Sequence, residues 1–289
     1  MTGLVRAGWA ALVLSLMIAA CAAAPLYARL AHTDPFRTHV TETLPDGTPV
    51  LAENTAGLGL GTTPVGPTWR ARYFLGADRL GRDVMARLLY GGRTSLLIAA
   101  AATLLCLALA TLVGVVAGFL GGVTDTVLAG ALDLLWAFPV TLLAISLSIV
   151  LIGHEAADSL ALPIGILGIV YVPYVARPLR AQVMTLRQTE FIEAARALGA
   201  TPVHILLRHI LPHLGPSLRG FAPLVAAMVL LTEAALSVLS VGVQAPAASW
   251  GTLIADGQGL IYTRPLVAIA PGLMIMLTVL ALNALGEKR

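Results

Sequence analysis

Few residues in this chain are of types that do chemistry, and their places are informative. Asp133 and Glu233 stand inside long apolar runs, and three histidines cluster at His204, His209 and His213. Acids in such runs can relay protons, pair with cations or line a polar path, and histidines can ligate metal. A charge at mid-bilayer costs at least about 2.5–3.5 kcal/mol on insertion scales, so each acid is expected to face protein or water. Asp133 and Pro139 both interrupt the third apolar run, and for Asp133 a structural partner is favoured over a substrate contact. For Glu233, pathway lining and a helix–helix hydrogen bond stand level. A proton relay would need basic partners within the membrane, and none is visible beside these two isolated acids. Pro212 is expected to break the helix between His209 and His213 and so to spoil an i, i+4 ligand pair. The histidines therefore read as polar surface contacts, and no metal site is assigned.

Motifs for catalysis are missing from the sequence. It has no G-x-x-x-x-G-K-[ST] phosphate loop, no H-E-x-x-H and no G-x-S-x-G, and its single lysine is Lys288. Cys21 and Cys106 both sit in apolar runs and read as small buried side chains. No catalytic residue and no bound cofactor is expected, and ATP hydrolysis is not expected in this chain.

The most definite polar segment is 187–216, RQTEFIEAARALGATPVHILLRHILPHLGP. Glu190 to Leu198 is helix-compatible, with Phe191, Ala195 and Leu198 on one face. Gly199 suits the left-handed residue that ends a helix. Thr201 can cap a second helix with Pro202 at its first position. Pro212 and Pro216 are expected to close the unit. The prediction is a compact helix–turn–helix hung between two apolar spans.

What must position these groups is a membrane. Of 289 residues, 58% are hydrophobic and 11% charged, with mean hydropathy +0.88. A soluble domain carries roughly 25% charged residues, so the class is an all-α polytopic membrane protein. Net charge is only +3 and the basic residues are dispersed, which argues against nucleic-acid binding. Six spans are predicted, at 9–27, 95–119, 127–152, 160–175, 220–243 and 266–285. The first is read as a retained transmembrane helix, although Ala22–Ala24 resembles a cleavage site and Ile18–Cys21 a lipoprotein signal. The predicted organisation is an N-terminal helix 1–27, an extramembrane loop with an interfacial helix 28–92, and a five-span core 93–289. Within the loop, residues to about Pro67 read as irregular with short strands, and Asp83–Tyr90 as a short helix in the membrane interface. A polar segment with His154, Glu155 and Asp158 follows the third span, and 244–264 reads as polar and turn-rich. No internal repeat supports an inverted-repeat transporter.

Residues 177–219 hold six arginines and two glutamates, which places the hairpin in the cytoplasm by the positive-inside rule. Six spans then put both termini there and the 28–92 stretch outside. That stretch also contains arginines, but the rule loses force for loops longer than about 60 residues.

Four stretches carry a family resemblance. Glu193-Ala194-Ala195, then Gly199, then Ile210-Leu211-Pro212 resembles the EAA signature of ABC-importer permease subunits. The run from Leu75 to Leu96 is similar to the segment before the second span in C-type permeases of dipeptide, oligopeptide and nickel importers. DLLWAFP at 133–139 resembles their third-span signature. Glu233–Ser237, Gly242–Gln244 and Ser249–Gly251 resemble the fifth span and its following loop. Together they cover most of 75–285.

The resemblance implies a six-helix type I permease half in the cell inner membrane. It implies a homologous B-type permease as partner, two ATP-binding subunits using ATP and Mg2+, and an extracytoplasmic substrate-binding protein. Carried over by position, Glu193, Ala194, Ala195, Gly199, Thr201, Pro202, Leu211 and Pro212 form the ATPase-coupling element. The substrate class is peptides or related small solutes. The chain departs from the pattern at Ser240, where glycine is common, at Ala245, where proline is common, and at His213, where asparagine is frequent. The 28–75 loop is also longer than usual. Two competitors stand beside this reading. A standalone ion-coupled secondary transporter predicts transport by the chain alone. A membrane-embedded enzyme predicts catalysis without ATPase partners.

Overall fold

The computed structural model describes residues 2–53, 62–152 and 160–287. The segment with His154, Glu155 and Asp158, and the residue Lys288, lie outside the described residues. In chain order the elements are α1 (Thr2–Ala22), α2 (Ala24–Leu30), β1 (Leu51–Glu53), β2 (Thr62–Pro64) and α3 (Val84–Leu120). Then come α4 (Gly122–Trp136), α5 (Val140–Ile152), α6 (Ala161–Val170), α7 (Val172–Leu186), α8 (Glu190–Ala197) and α9 (Pro202–Ile205). A π-helical turn (Leu206–Ile210) leads into α10 (Leu211–Val238), followed by α11 (Trp250–Gln258) and α12 (Leu266–Gly286).

Among the described residues, three continuous helices are long and apolar enough to span a bilayer: α3, the run from Pro202 to Val238, and α12. Three bent pairs meet the same criterion when joined: Gly8–Ala22 with α2, bent by 49°, α4 with α5, by 88°, and α6 with α7, by 41°. That makes up to six spans by length and composition, the number expected from the sequence.

The core is built around α3, which packs against α7, α10, α6 and α1. Its closest approach is to α7, through Gly114 and Gly118. A Cβ at Gly114 would lie 2.8 Å from the Ala176 carbonyl oxygen, and one at Gly118 would lie 2.7 Å from the Arg180 carbonyl oxygen. Small residues four apart let two backbones approach closely where lipid supplies no hydrophobic drive.

Several expectations are corrected. The interfacial helix at 83–90 is not separate: α3 runs unbroken from Val84 through the expected boundary at 92/93. Asp83 caps it by accepting from the Met85 and Ala86 amides, and nothing downstream stops the helix. Gly91 and Gly92 do not break it. They admit the Ser249 backbone and the Trp250 ring, which a Cβ at either would meet at 3.0 and 2.8 Å.

Nor do Pro212 and Pro216 close the hairpin. Its second helix continues into the fifth span as α10, with Pro216 and Pro223 inside it. The π-turn explains the passage of Pro212, since the Leu211 amide bonds back five residues to the Leu206 carbonyl. This wider turn relieves the clash that a proline ring makes with the carbonyl four residues back. The predicted fifth span at 220–243 therefore begins too late and ends too late. The predicted fourth span also ends too early, because α7 runs through Pro178 to Leu186.

The turn-rich segment 244–264 contains a helix, α11. Ser249 and Thr252 form a reciprocal capping box at its start. In the third span only Pro139 marks the interruption, and Asp133 sits within α4. The extramembrane loop has the short strands expected of it, with β1 and β2 pairing antiparallel in the register Leu51 to Pro64.

Candidate functional site

The polar hairpin begins at Thr189, in extended conformation before α8. Gly199 ends it at φ +84°, with the Ala200 amide donating to the Ala195 carbonyl and the Gly199 amide to the Arg196 carbonyl. This closes the last turn through a left-handed residue. Thr201, also extended, accepts from the His204 amide through its hydroxyl at 3.3 Å, and Pro202 opens α9. The turn chemistry is the one expected from the sequence.

The buried face is not. Phe191 and Leu198 are 42% and 88% exposed, whereas Ile192 is fully buried and pins α8 to the core. Ile205, Ile210 and Leu214 do the same for the second arm. Outward lie Glu193, Ala194, Gly199, Thr201, Pro202, Leu211 and Pro212, with Ala195 half-buried. Leu198, Val203 and Leu207 join them as large exposed apolar side chains. Leu198 is expected from the sequence on one face with Phe191 and Ala195, Val203 and Leu207 have no assignment there, and the adjacent pair Phe191–Ile192 is the signal that bears on the buried face. On a helix this short, apolar residues at i and i+1 cannot share one face.

Phe191 stacks on His213 at 5.4 Å between ring centroids, and His204 meets His209 edge-on at 5.9 Å. His213 Nδ1 also lies 2.5 Å from the His209 carbonyl oxygen. The two histidines thus remain one helical turn apart, contrary to the expected break at Pro212. Among the described residues, no group of three metal-ligating side chains is present. Where α7 leads into the hairpin, Gln182 bridges to α10, accepting from the Ser217 hydroxyl at 2.8 Å.

Glu233 is fully buried. Its carboxyl accepts from the Ser95 hydroxyl of α3 at 3.0 Å and from Ser237 at 2.8 Å. The Trp250 amide donates to Ser95 Oγ, and the Trp250 indole N–H donates to the Leu88 carbonyl, both at 3.1 Å. One polar knot thus joins α3, α10 and the start of α11. Of the two roles weighed for Glu233, this geometry matches the helix–helix hydrogen bond.

Asp133 is not isolated, as the sequence suggested, but pairs with Arg177 of α7 at 2.5 Å. Arg177 also lies over the Trp136 ring, 4.7 Å from its centroid. About one turn further along α7, Arg180 holds Asp125 of α4 through two hydrogen bonds. Pro139 is exposed at the 88° break between α4 and α5.

A second polar cluster was not singled out as a group in the sequence. Arg82 and Arg87 both reach Asp256 of α11 at 3.0 Å, and Arg82 Nε bonds Asp78 at 2.7 Å. Arg87 further donates to the Pro35 carbonyl at 3.3 Å. The cluster fastens the extramembrane segment to the start of α3 and to α11. Arg82 and Asp256 are 174 positions apart, so no local pattern could reveal it.

A family model described as binding-protein-dependent transport system inner membrane component matches residues 110–287. A protein of Brucella suis named as a peptide transport system permease is 36% identical over 215 residues, covering 74% of this chain and 71% of that one. The glutathione transport system permease protein GsiD of Escherichia coli is 37% identical over 216 residues, covering 75% and 70%. The solved methionine ABC transporter MetNI, in inward-facing form, shares the fold. It aligns with TM-score 0.57 at 20% identity, covering 70% of this chain and 94% of that one.

Proposed function

This chain belongs to the family of inner-membrane components of binding-protein-dependent transport systems, the permease subunits of ABC importers, and from that premise we propose that it imports peptides through a path shared with a second permease. The relatives named for peptide and glutathione transport support the substrate class. ATP and Mg2+ are used by two separate ATP-binding subunits, and a soluble binding protein delivers the solute from outside. The chain itself binds no cofactor. The hairpin lies in the cytoplasm, and both termini with it.

The observation that carries the coupling role is the outward face of α8 and α9. Glu193, Ala194, Gly199, Thr201 and Pro202 share it with Leu198 and Val203, whose apolar side chains are left open. An exposed apolar patch rimmed by polar residues marks a protein contact. Leu211 and Pro212 extend the face along the base of α10, and Ala195 lets a partner approach closely. The ATPase takes this face, and its closure moves α8. Through Gln182 and the short step from α7 to α8, that movement reaches the spans as a rigid-body shift.

Co-purification tests the assignment. The Leu198→Asp and Val203→Asp variants should leave the permease pair intact and release the ATP-binding subunits from it. Full retention of both subunits by the double variant would remove the face from the coupling role.

A further inference from the structure

The α4–α5 break is out of place against lipid. At 88° it interrupts helical hydrogen bonding around Ala137, Phe138 and Pro139, inside a pair of helices that together are long and apolar enough to span. Non-helical backbone at membrane depth is tolerated only where protein covers it or water reaches it. Beside it stands the Asp133–Arg177 pair, with side chains 69% and 37% exposed. Charges this open also demand water or protein rather than hydrocarbon.

Against the break lies a cleft of about 510 Å³, and the ion pair stands just outside its lining, with Arg177 over the ring of Trp136, a wall residue. Its walls include Trp136, Phe138, Pro139, Tyr171, Tyr174 and Met228. Trp136 and Tyr174 stack nearly parallel, with centroids 6.3 Å apart and planes 11° apart. Pockets of roughly 300–1,000 Å³ with apolar walls and a few placed polar groups are the usual form of a small-ligand site.

We propose that this cleft is a transit site for substrate, and that it takes a zwitterion bearing an apolar or aromatic side chain. The aromatic walls receive the side chain. Arg177 takes the carboxylate and Asp133 the ammonium group, each exchanging its present partner for one on the ligand. Charge is balanced before and after the exchange, so no charge is left unpaired. A ligand with net charge would leave one of the two without a partner, and an uncharged apolar solute would use neither. The inference rests on the reading of the chain as a peptide permease and names the residues that touch the peptide.

The test uses the whole transporter in proteoliposomes, with radiolabelled Ala-Phe as probe. A photoreactive benzoylphenylalanine replaces Phe138 in one version and Leu104, an exposed residue of α3, in another. Labelled peptide should attach at 138 and not at 104, and only while ATP and the binding protein are present. The double variant D133N/R177Q removes both charges together, so neither is left without its partner. It should take up Ala-Phe at least tenfold more slowly and lose the attachment at 138. Uptake of Ala-Phe by the unmodified complex with no attachment at 138, or with attachment there to the second permease instead, overturns the inference and leaves the peptide reading standing. Unchanged uptake by the double variant overturns it equally. If the double variant fails to assemble, attachment at 138 decides alone. No uptake of any peptide by the unmodified complex defeats the peptide reading, and this inference falls with it.

Discussion

At the scale of single residues, backbone conformation accounts for two positions. Gly199 sits at φ +84° with nothing within 4 Å of where a Cβ would be. Its requirement is therefore conformational and not steric. A left-handed residue with a side chain costs roughly 1–2 kcal/mol, and asparagine bears it better than a β-branched residue. Gly199→Asn should retain coupled transport, and Gly199→Val should lose most of it, as read by solute taken up per ATP hydrolysed. Ser240 shows the reverse situation. It holds φ +61° while carrying a side chain. Ser240→Gly should raise stability by about 0.5–1 kcal/mol, seen as a higher Tm of the detergent-purified complex. The turn at Gly199 was legible in the sequence because glycine, threonine and proline in that order have few other uses. The conformation of Ser240 was not, because serine carries no signal for it.

At the scale of elements, helices meet where side chains are smallest. The Gly114–Gly118 face brings α3 against the backbone of α7, and α7 is the helix that runs directly into the coupling hairpin. Gly118→Val should push these helices apart. Overpacking typically costs about 1–3 kcal/mol, and here the obstacle includes the Arg180 carbonyl, which is backbone and cannot rotate away. The measurement is the yield of assembled permease pair, with Gly130→Val as control, since that glycine has nothing within 4 Å. Spans were legible from hydropathy, but their ends were not. Asp83 caps α3 locally, whereas Gly91 and Gly92 inside the helix make room for Ser249 and Trp250, far along the chain. The passage of Pro212 depends on a π-turn, whose register no local residue type announces.

For the whole molecule, two polar clusters fasten elements that lie far apart in the chain. The Arg82–Arg87–Asp78–Asp256 cluster ties the extramembrane segment to α3 and α11. Removing one partner from a buried ion pair costs about 3–5 kcal/mol, because the other charge is left uncompensated. Asp78 and Arg87 side chains are each only 3% exposed, so Arg87→Met should destabilise the chain strongly. Limited proteolysis would show this as faster cleavage within 28–83. The Glu233 knot similarly fixes α10 to α3, and it is bound by hydroxyls and not by a cation. As a chemical group only the acid of this knot is conspicuous in the sequence, because a glutamate in an apolar run stands out, whereas the bonds from Ser95 and Trp250 join residues far apart in the chain. By contrast α8 is pinned chiefly by one buried side chain, Ile192, and leaves most of its surface open to a partner.

This chain is one part of an ATP-driven importer, and we propose that energy enters through its hairpin. Reconstitution in proteoliposomes tests that directly. Peptide uptake should require both permeases, the ATP-binding subunits, the binding protein and ATP together, and should stop when any one is withheld. Uptake by this chain alone, driven by an imposed ion gradient and indifferent to ATP, would contradict it.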